Sequence, residues 1–220
     1  MIAAVSAQNT TDQVLEAIVS DAEVSYGKNA FVVAKEEFYS RFGKVFPEDL
    51  FYESRMSYFL DFFVLLRPVP GEAYTPFMKF AKFNTSQPTL LVSALEAFRH
   101  SIFEVEALAG LSGMLVKDLR TGATYKVRPK GNESFRGFTK GAVFQGFIFP
   151  GDDFAFLGNG LVMHPPQVLS VIKKYLKHAA KSLDFDEQAA LARLAFVQLK
   201  ALRHSHAGAK RIYGNELTIA

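Results

Sequence analysis

Ser101-Ile-Phe-Glu-Val-Glu-Ala-Leu108 opens a stretch, continuing to Met163, in which apolar residues recur at every second position. Further runs of this kind cover residues 114–119, 123–128, 142–149 and 154–157. They are rich in β-branched and aromatic residues, which favour strands. Turn residues separate them at 118–122, 150–153 and 158–160. We therefore predict five or six short antiparallel strands that curl into a small barrel.

Helical patterns flank this stretch on both sides. Five helices are predicted before it, at about 10–27, 30–42, 47–63, 75–81 and 88–98. The fourth should begin with Thr75 as its N-cap and Pro76 at its first position. Two further helices are predicted at about 168–181 and 185–204. The resulting divisions are a helical subdomain (1–100), an antiparallel β subdomain (101–164), C-terminal helices (165–208) and a tail (209–220).

The predicted fold class is therefore α+β, with an N-terminal helical layer packed on a small antiparallel barrel or curled meander and two C-terminal helices. With 220 residues, of which 49% are hydrophobic, the chain can bury a sizeable core. The 22 phenylalanines, in a chain without tryptophan, are interpreted as packing residues rather than base-stacking platforms.

The absence of cysteine excludes disulfides, thiolate zinc sites and cysteine nucleophiles. The histidine spacings do not suit tetrahedral ligation either, so we expect no zinc and no other cofactor. The most apolar window, 58–66, is far shorter than the ~20 residues that a spanning helix requires. No export signal is evident, and we expect a cytoplasmic protein.

A basic stretch between Lys126 and Lys140 is the strongest candidate for a binding site. Its five cations face a single acid, Glu133. Arginine forks and free loop amides suit phosphate, and Lys126 and Arg128 occupy alternate strand positions, so they should share one face. The alternative is an ordinary loop with solvated charges. The candidate residues for anion binding are Lys126, Arg128, Lys130, Asn132, Ser134, Arg136 and Lys140.

Within this stretch, Asn132-Glu-Ser134-Phe-Arg-Gly137 resembles half of the motif of PilZ domains, which are small barrels that bind cyclic diguanylate. The other half of that motif is Arg-x-x-x-Arg. Here Arg120 and Arg128 are eight residues apart, so neither completes the spacing. The resemblance implies a cyclic dinucleotide ligand contacted by Asn132 and Ser134.

A broader resemblance covers about residues 50–165. It is carried by Phe59-Leu-Asp-Phe-Phe-Val-Leu-Leu-Arg-Pro-Val-Pro-Gly71, Thr75-Pro-Phe-Met-Lys-Phe80, Arg99-His-Ser-Ile-Phe-Glu-Val105 and Asp118-Leu-Arg-Thr-Gly122. Together these segments resemble an uncharacterised bacterial family in which an aromatic helix and a Thr-Pro helix precede a small β domain. Some relatives end in a SecA-type zinc-binding tail, which a chain without cysteine lacks. The resemblance implies no known activity.

Catalytic motifs of useful specificity are absent from the sequence. The one acid–base combination suggested by proximity in sequence is His164 with Asp152 or Asp153, which would indicate a hydrolase. His204 and His206 are two apart on a predicted helix and so point to different faces.

The sequence thus favours a non-enzymatic intracellular binding or regulatory protein with an unknown protein partner, contacted through the Lys126–Lys140 loop. The alternative is a phosphate-bearing ligand, either a cyclic dinucleotide or single-stranded nucleic acid. The hydrolase hypothesis ranks third.

Overall fold

The structure, a computed structural model, describes residues 2–69, 71–83, 95–110, 113–129, 135, 137–151 and 153–218, with side chains from residue 13 onward. Its architecture is α+β, as predicted. The helices of the described residues are α1 (Ile2–Phe42), α2 (Tyr52–Leu65), α3 (Pro76–Phe83), α4 (Leu169–Ala179), α5 (Glu187–Arg203) and α6 (Ala209–Glu216). The strands are β1 (Arg99–Leu108), β2 (Met114–Asp118), β3 (Thr124–Arg128), β4 (Val143–Pro150) and β5 (Ala155–His164).

The N-terminal helices end close to the predicted positions, but α1 begins at Ile2 rather than near residue 10, and α2 begins at Tyr52 rather than near residue 47. Gly27 has non-helical dihedral angles (φ 71°, ψ 168°) and divides α1 where one predicted helix ends and the next begins. Thr75 Oγ1 accepts a hydrogen bond from the Met78 amide at 3.2 Å, which confirms the predicted N-cap of α3. The helix predicted from about Pro88 falls mostly on residues 84–94, which lie outside the described part of the chain.

The five strands form a mixed sheet that closes in a ring in the order β1-β2-β3-β5-β4. All neighbouring pairs are antiparallel except one, so the prediction of an antiparallel meander is wrong at that point. β3 and β5 pair in parallel through Val127↔Ala155 and Arg128↔Phe156. The chain leaves β3, crosses to form β4 beside β1, and returns as β5 to close the ring.

Strand β5 continues through the predicted turn at Gly158-Asn159-Gly160, where its register with β4 shifts, and the turn prediction is therefore wrong. Helix α2 lies against this part of the strand. A Cβ atom at Gly160 would lie 2.0 Å from the Tyr58 amide nitrogen, and one at Gly158 would lie 2.8 Å from Asp61 Oδ2. Gly160 is required because the helix backbone approaches the strand too closely for any side chain, whereas Gly158 makes room for the Asp61 side chain and for Phe147 of β4, whose Cβ would lie 3.1 Å away.

An aromatic cluster fills the space between α1, α2 and the sheet. Phe38 stacks on Phe42 at 4.5 Å, and Phe42 contacts Phe62 at 5.4 Å and Tyr58 at 5.6 Å between ring centroids. Phe147 of β4 belongs to the same buried cluster. For these residues the prediction that phenylalanines serve packing is confirmed, and the core crosses the predicted boundary at residue 100.

The C-terminal helices enclose a second core. Ile172 and Leu176 of α4 pack with Leu191 and Leu194 of α5. The segment predicted as a tail instead forms α6, whose inner side carries the buried residues Ile212, Tyr213 and Leu217. Among the described residues, no helix has the combination of length and apolar character that a membrane span needs.

Replacing Gly160 with Ala tests the close approach of α2 to β5. The added methyl group would overlap the Tyr58 backbone, which cannot move without shifting the whole helix, so we expect the free energy of unfolding to fall by about 3 kcal/mol or more. Urea unfolding followed by circular dichroism measures this change. Gly113→Ala is the control, because its nearest neighbour, Val127 O, lies at an ordinary 3.4 Å. Equal unfolding midpoints for the two variants would show that α2 does not lie this close.

Candidate anion-binding surface

Lys126 and Arg128 lie on the outer side of the β ring, as the alternation of β3 predicted. Val127 between them is fully buried inside the ring, whereas Lys126 is exposed and Arg128 is half-buried. Side chains two apart on a strand share a face, and their Cα atoms are about 7 Å apart. The two cations are therefore neighbours on one surface.

The guanidinium of Arg128 stacks on an aromatic ring. Its Cζ atom lies 3.3 Å from the centroid of Phe154, in the connection between β4 and β5. The parallel pairing of Arg128 with Phe156 brings the start of β5 to this position. Stacking engages the face of the guanidinium and leaves its N–H edge unpaired among the described residues, which is the geometry that binds phosphate or carboxylate in a bidentate manner.

The two acidic side chains of β1 nearest this surface already have other partners, and Asp153, next to Phe154, is exposed. On β1, Glu104 accepts from Lys173 Nζ at 2.7 Å, and Glu106 lies 3.8 Å from Lys117 Nζ. Among the described residues neither Lys126 nor Arg128 forms an ion pair with a carboxylate. We define Lys126, Arg128 and Phe154, with the β2 residue Leu115 that pairs with Lys126, as the outer β face.

The rest of the predicted basic stretch is only partly described. Lys140 is exposed near the β1 residue Val105, whose carbonyl accepts from the Gly141 amide at 2.8 Å. Phe138 packs on Phe144 at 5.4 Å, so the connection between β3 and β4 covers the interior of the ring. The predicted site residues Lys130, Asn132, Ser134 and Arg136 lie outside the described residues.

His164 does not form the predicted acid–base site. It lies at the last position of β5, whereas Asp153 precedes the first position of the same ten-residue strand, about 30 Å away along an extended chain. His164 is buried and its Nδ1 is 2.7 Å from the Tyr213 hydroxyl. Asp152 lies outside the described residues. The hydrolase hypothesis therefore has no support from this histidine and Asp153.

A buried chain of hydrogen bonds connects four elements, and sequence reasoning did not find it. Gln145 Nε2 donates to the Tyr58 hydroxyl at 2.6 Å, and this hydroxyl lies 2.5 Å from His100 Nε2. His100 Nδ1 lies 2.7 Å from Gln188 Oε1, which can only accept. His100 is therefore the Nδ1–H tautomer, and its Nε2 accepts the proton of Tyr58. The chain orients α2, β1, β4 and α5 on one another.

Arg55 of α2 is buried and forms no ion pair with any carboxylate of the described residues. One of its terminal nitrogens donates to Ala195 O at 2.8 Å and to Gln198 Oε1 at 2.6 Å. Gln198 in turn donates to Met163 O at 2.8 Å. Burial lowers the pKa of Arg55 to about 10, and the side chain remains a cation at neutral pH. The signal in the sequence was its position three residues before Tyr58, on the buried stripe of α2.

The described residues contain no group of three or more His, Asp or Glu side chains that could hold a metal ion. Burial also lowers the pKa of both His100 and His164 to about 3, with Arg55 adding to the effect at His164. Both rings are therefore neutral near pH 7 and enclosed by protein. They contribute to the interior of the fold rather than to a reactive surface.

The two buried histidines should make stability depend on pH. In the unfolded chain they bind protons below about pH 6.5, whereas in the folded protein they bind them only near pH 3. The unfolded state thus binds more protons in between, so stability must fall as pH is lowered through this window, by up to about 1.4 kcal/mol per pH unit for each histidine. Urea unfolding between pH 5 and 6.5, above most carboxylate titration, measures the slope.

His164→Phe should remove about half of that slope, although it also lowers stability at pH 7 because the Tyr213 hydroxyl loses its partner. His178→Ala, at an exposed position on α4, is the control and should leave the slope unchanged. A slope that is the same in the wild type and in His164→Phe would contradict a neutral, buried His164.

Comparison of the chain with protein-family models, with curated proteins and with solved structures finds no match. The resemblances to PilZ domains and to a bacterial family with a Thr-Pro helix thus rest on the sequence motifs alone and stay predictions.

Proposed function

We propose that this chain is a non-enzymatic binding protein whose outer β face takes a phosphate-bearing nucleotide ligand. The observation that carries the proposal is the pair of neighbouring cations on β3, with Arg128 stacked on Phe154 at 3.3 Å and no carboxylate paired to either cation among the described residues. A cyclic dinucleotide and a single-stranded nucleic acid share the chemistry that this surface would recognise.

Each component of the surface suits one part of such a ligand. The exposed edge of Arg128 and the ammonium group of Lys126 can donate to phosphate oxygens. Leu115 and the Phe154 ring offer apolar area beside these cations, on which a base can lie. A ligand with a phosphate but no base would use only half of these contacts.

The position of the surface adds an argument by analogy. In five-stranded Greek-key barrels that bind oligonucleotides, the ligand lies across the second and third strands and the loop between the fourth and fifth. Leu115, Lys126 and Phe154 occupy the corresponding places in this ring. This is an analogy of position, and the specific support comes from the charges and the stacked ring.

The interior supports a binding role rather than catalysis. The acid–base groups with strongly shifted pKa values, His100 and His164, are enclosed in the core and hydrogen-bonded to Tyr58, Gln188 and Tyr213. A reactive group must instead reach its substrate. On the outer β face, the side chains are donors and apolar surface.

Binding to the outer β face should depend on both cations and on salt. We expect calorimetric titration with cyclic diguanylate or a short single-stranded oligonucleotide to show saturable binding. For the oligonucleotide, the affinity should fall with increasing salt as counterions are released. Lys126→Ala combined with Arg128→Ala should weaken the binding strongly and reduce the slope of log affinity against log salt concentration by about 1.4, which corresponds to two lost phosphate contacts on a single strand.

Two further variants separate charge from geometry. Lys28→Ala with Lys35→Ala removes two positive charges from α1, outside the proposed surface, and should leave the affinity near that of the wild type. Arg128→Lys keeps the charge but loses the planar fork and its stacking, so it should bind more weakly than the wild type. All variants should keep the wild-type melting temperature within a few degrees, because these side chains lie at the surface and one surface contact, such as Arg128 on Phe154, contributes only about 1 kcal/mol.

Three results would count against the proposal. They are no heat and no thermal shift with either ligand at millimolar concentration, an unchanged affinity in the β3 double variant, or an equal loss in the α1 control. The first result would leave binding of a protein partner as the remaining explanation. Binding of one ligand but not the other would identify which source of nucleotide phosphate the face recognises.

A further inference from the structure

A groove of about 420 Å³ lies between α4 and α6, away from the outer β face. Apolar atoms of Val171, Tyr175 and Leu217 contribute to its lining, together with Lys174 and His178 of α4. Its volume is within the range of about 300–1,000 Å³ that ligand pockets occupy.

The sequence of α4 explains how this groove acquires a positive charge. Ile172 and Leu176 are buried in the core, so the helix turns Lys174 and His178, which are four residues apart, toward one side. Lys173 points elsewhere and donates to Glu104 of β1 at 2.7 Å. Lys174 thus lines the groove, while Lys173 is paired with a residue of the β ring.

Acidic side chains of the C-terminal helices are largely engaged away from the groove. Asp186 caps α5 by accepting from the amides of Gln188 and Ala189, and Glu187 pairs with Arg120. Glu216 accepts from both Arg193 and Lys200. The fourth acid of residues 165–218, Asp184, is exposed beyond the end of α4. Among the described residues Lys174 forms no ion pair.

From this arrangement we infer a second binding site, in which the groove between α4 and α6 takes a small organic anion with an apolar or aromatic body. The body lies on Val171, Tyr175 and Leu217, and the carboxylate, phosphate or sulfonate group pairs with Lys174. An anion held over an apolar floor is partly shielded from water, which strengthens its attraction to the ammonium group. The site is independent of the outer β face and does not rest on the function proposed for that face.

Anilinonaphthalene sulfonate matches this chemistry, since it joins an aromatic body to one anionic group and becomes fluorescent when bound. Phenylnaphthylamine is a neutral probe with a similar aromatic body and no sulfonate. We expect the wild-type protein to bind the sulfonate saturably and more tightly than the neutral probe, with an affinity that weakens as salt is added. Failure to bind the sulfonate, or equal affinity for both probes, would overturn the inference.

Gly214 allows the groove to be blocked without disturbing the helix. It lines the groove, a Cβ atom added there meets nothing within 4 Å, and its backbone is helical. Gly214→Phe should fill the groove and abolish sulfonate binding, whereas Gly214→Ala, the matched control, adds one methyl group and should bind like the wild type. Circular dichroism checks that both variants are folded.

Lys174→Ala should weaken sulfonate binding about tenfold and leave binding of the neutral probe unchanged. Lys177→Ala removes an exposed lysine of the same helix that does not line the groove, and should have no effect. Wild-type affinity in both Gly214→Phe and Lys174→Ala would place the probe elsewhere and overturn the inference. The Lys126 and Arg128 variants should keep full sulfonate binding. The proposals for the groove and for the outer β face are therefore tested separately.

Discussion

The packing of α2 directly on the backbone of β5 is the constraint on which the rest of the structure depends. Glycine at 158 and 160 allows the contact, and Ser54 fixes it, because its hydroxyl donates to Leu161 O at 2.6 Å and accepts from Leu161 N at 3.1 Å. Once the helix lies this close, the next turns of α2 place Arg55 and Tyr58 in the interior. A buried polar group without a partner is costly, and the Tyr58 hydroxyl and Arg55 Nη2 find partners there, whereas Arg55 Nη1 has none among the described residues.

The placement of α2 also decides where a ligand can bind. The N-terminal helices and α5 cover β4 and β5, and the aromatic cluster around Phe38 and Phe147 fills the space between them. In the described part of the chain no such layer covers the outer sides of β2 and β3, and their side chains include Lys117, Lys126 and Arg128 at the surface. The same packing that buries one half of the ring leaves the other half to solvent.

Local patterns were sufficient to predict the first four strands and the start of α3, because a strand's period and the Thr75 cap depend on neighbours in sequence. They were insufficient for the ring. The parallel pairing of Val127 with Ala155 joins segments that are separated by the whole of β4, and no local signal specifies it. Gly158 and Gly160 resembled a turn for the same reason, although glycines two apart share one face of a strand and can equally mark a helix contact. Helix α6 was missed because Gly214 and Asn215 have low helix propensity, and its packing against α4 and α5 stabilises it.

The candidate surface was only partly predictable, and two arginines show why. Arg55 and Arg128 both lie in regular elements, and neither forms an ion pair with a carboxylate among the described residues. Arg55 donates to a carbonyl and an amide oxygen of α5 inside the protein, so its hydrogen-bonding edge serves the fold. Arg128 is held through its face by Phe154, so its donating edge is directed away from that contact. Composition counts these side chains equally. An arginine serves the fold when its N–H edge is bonded inside the protein, and it can bind a ligand when only its face is used. Which of the two occurs depends on contacts between residues far apart in sequence, such as Arg55 and Ala195, which are 140 positions apart.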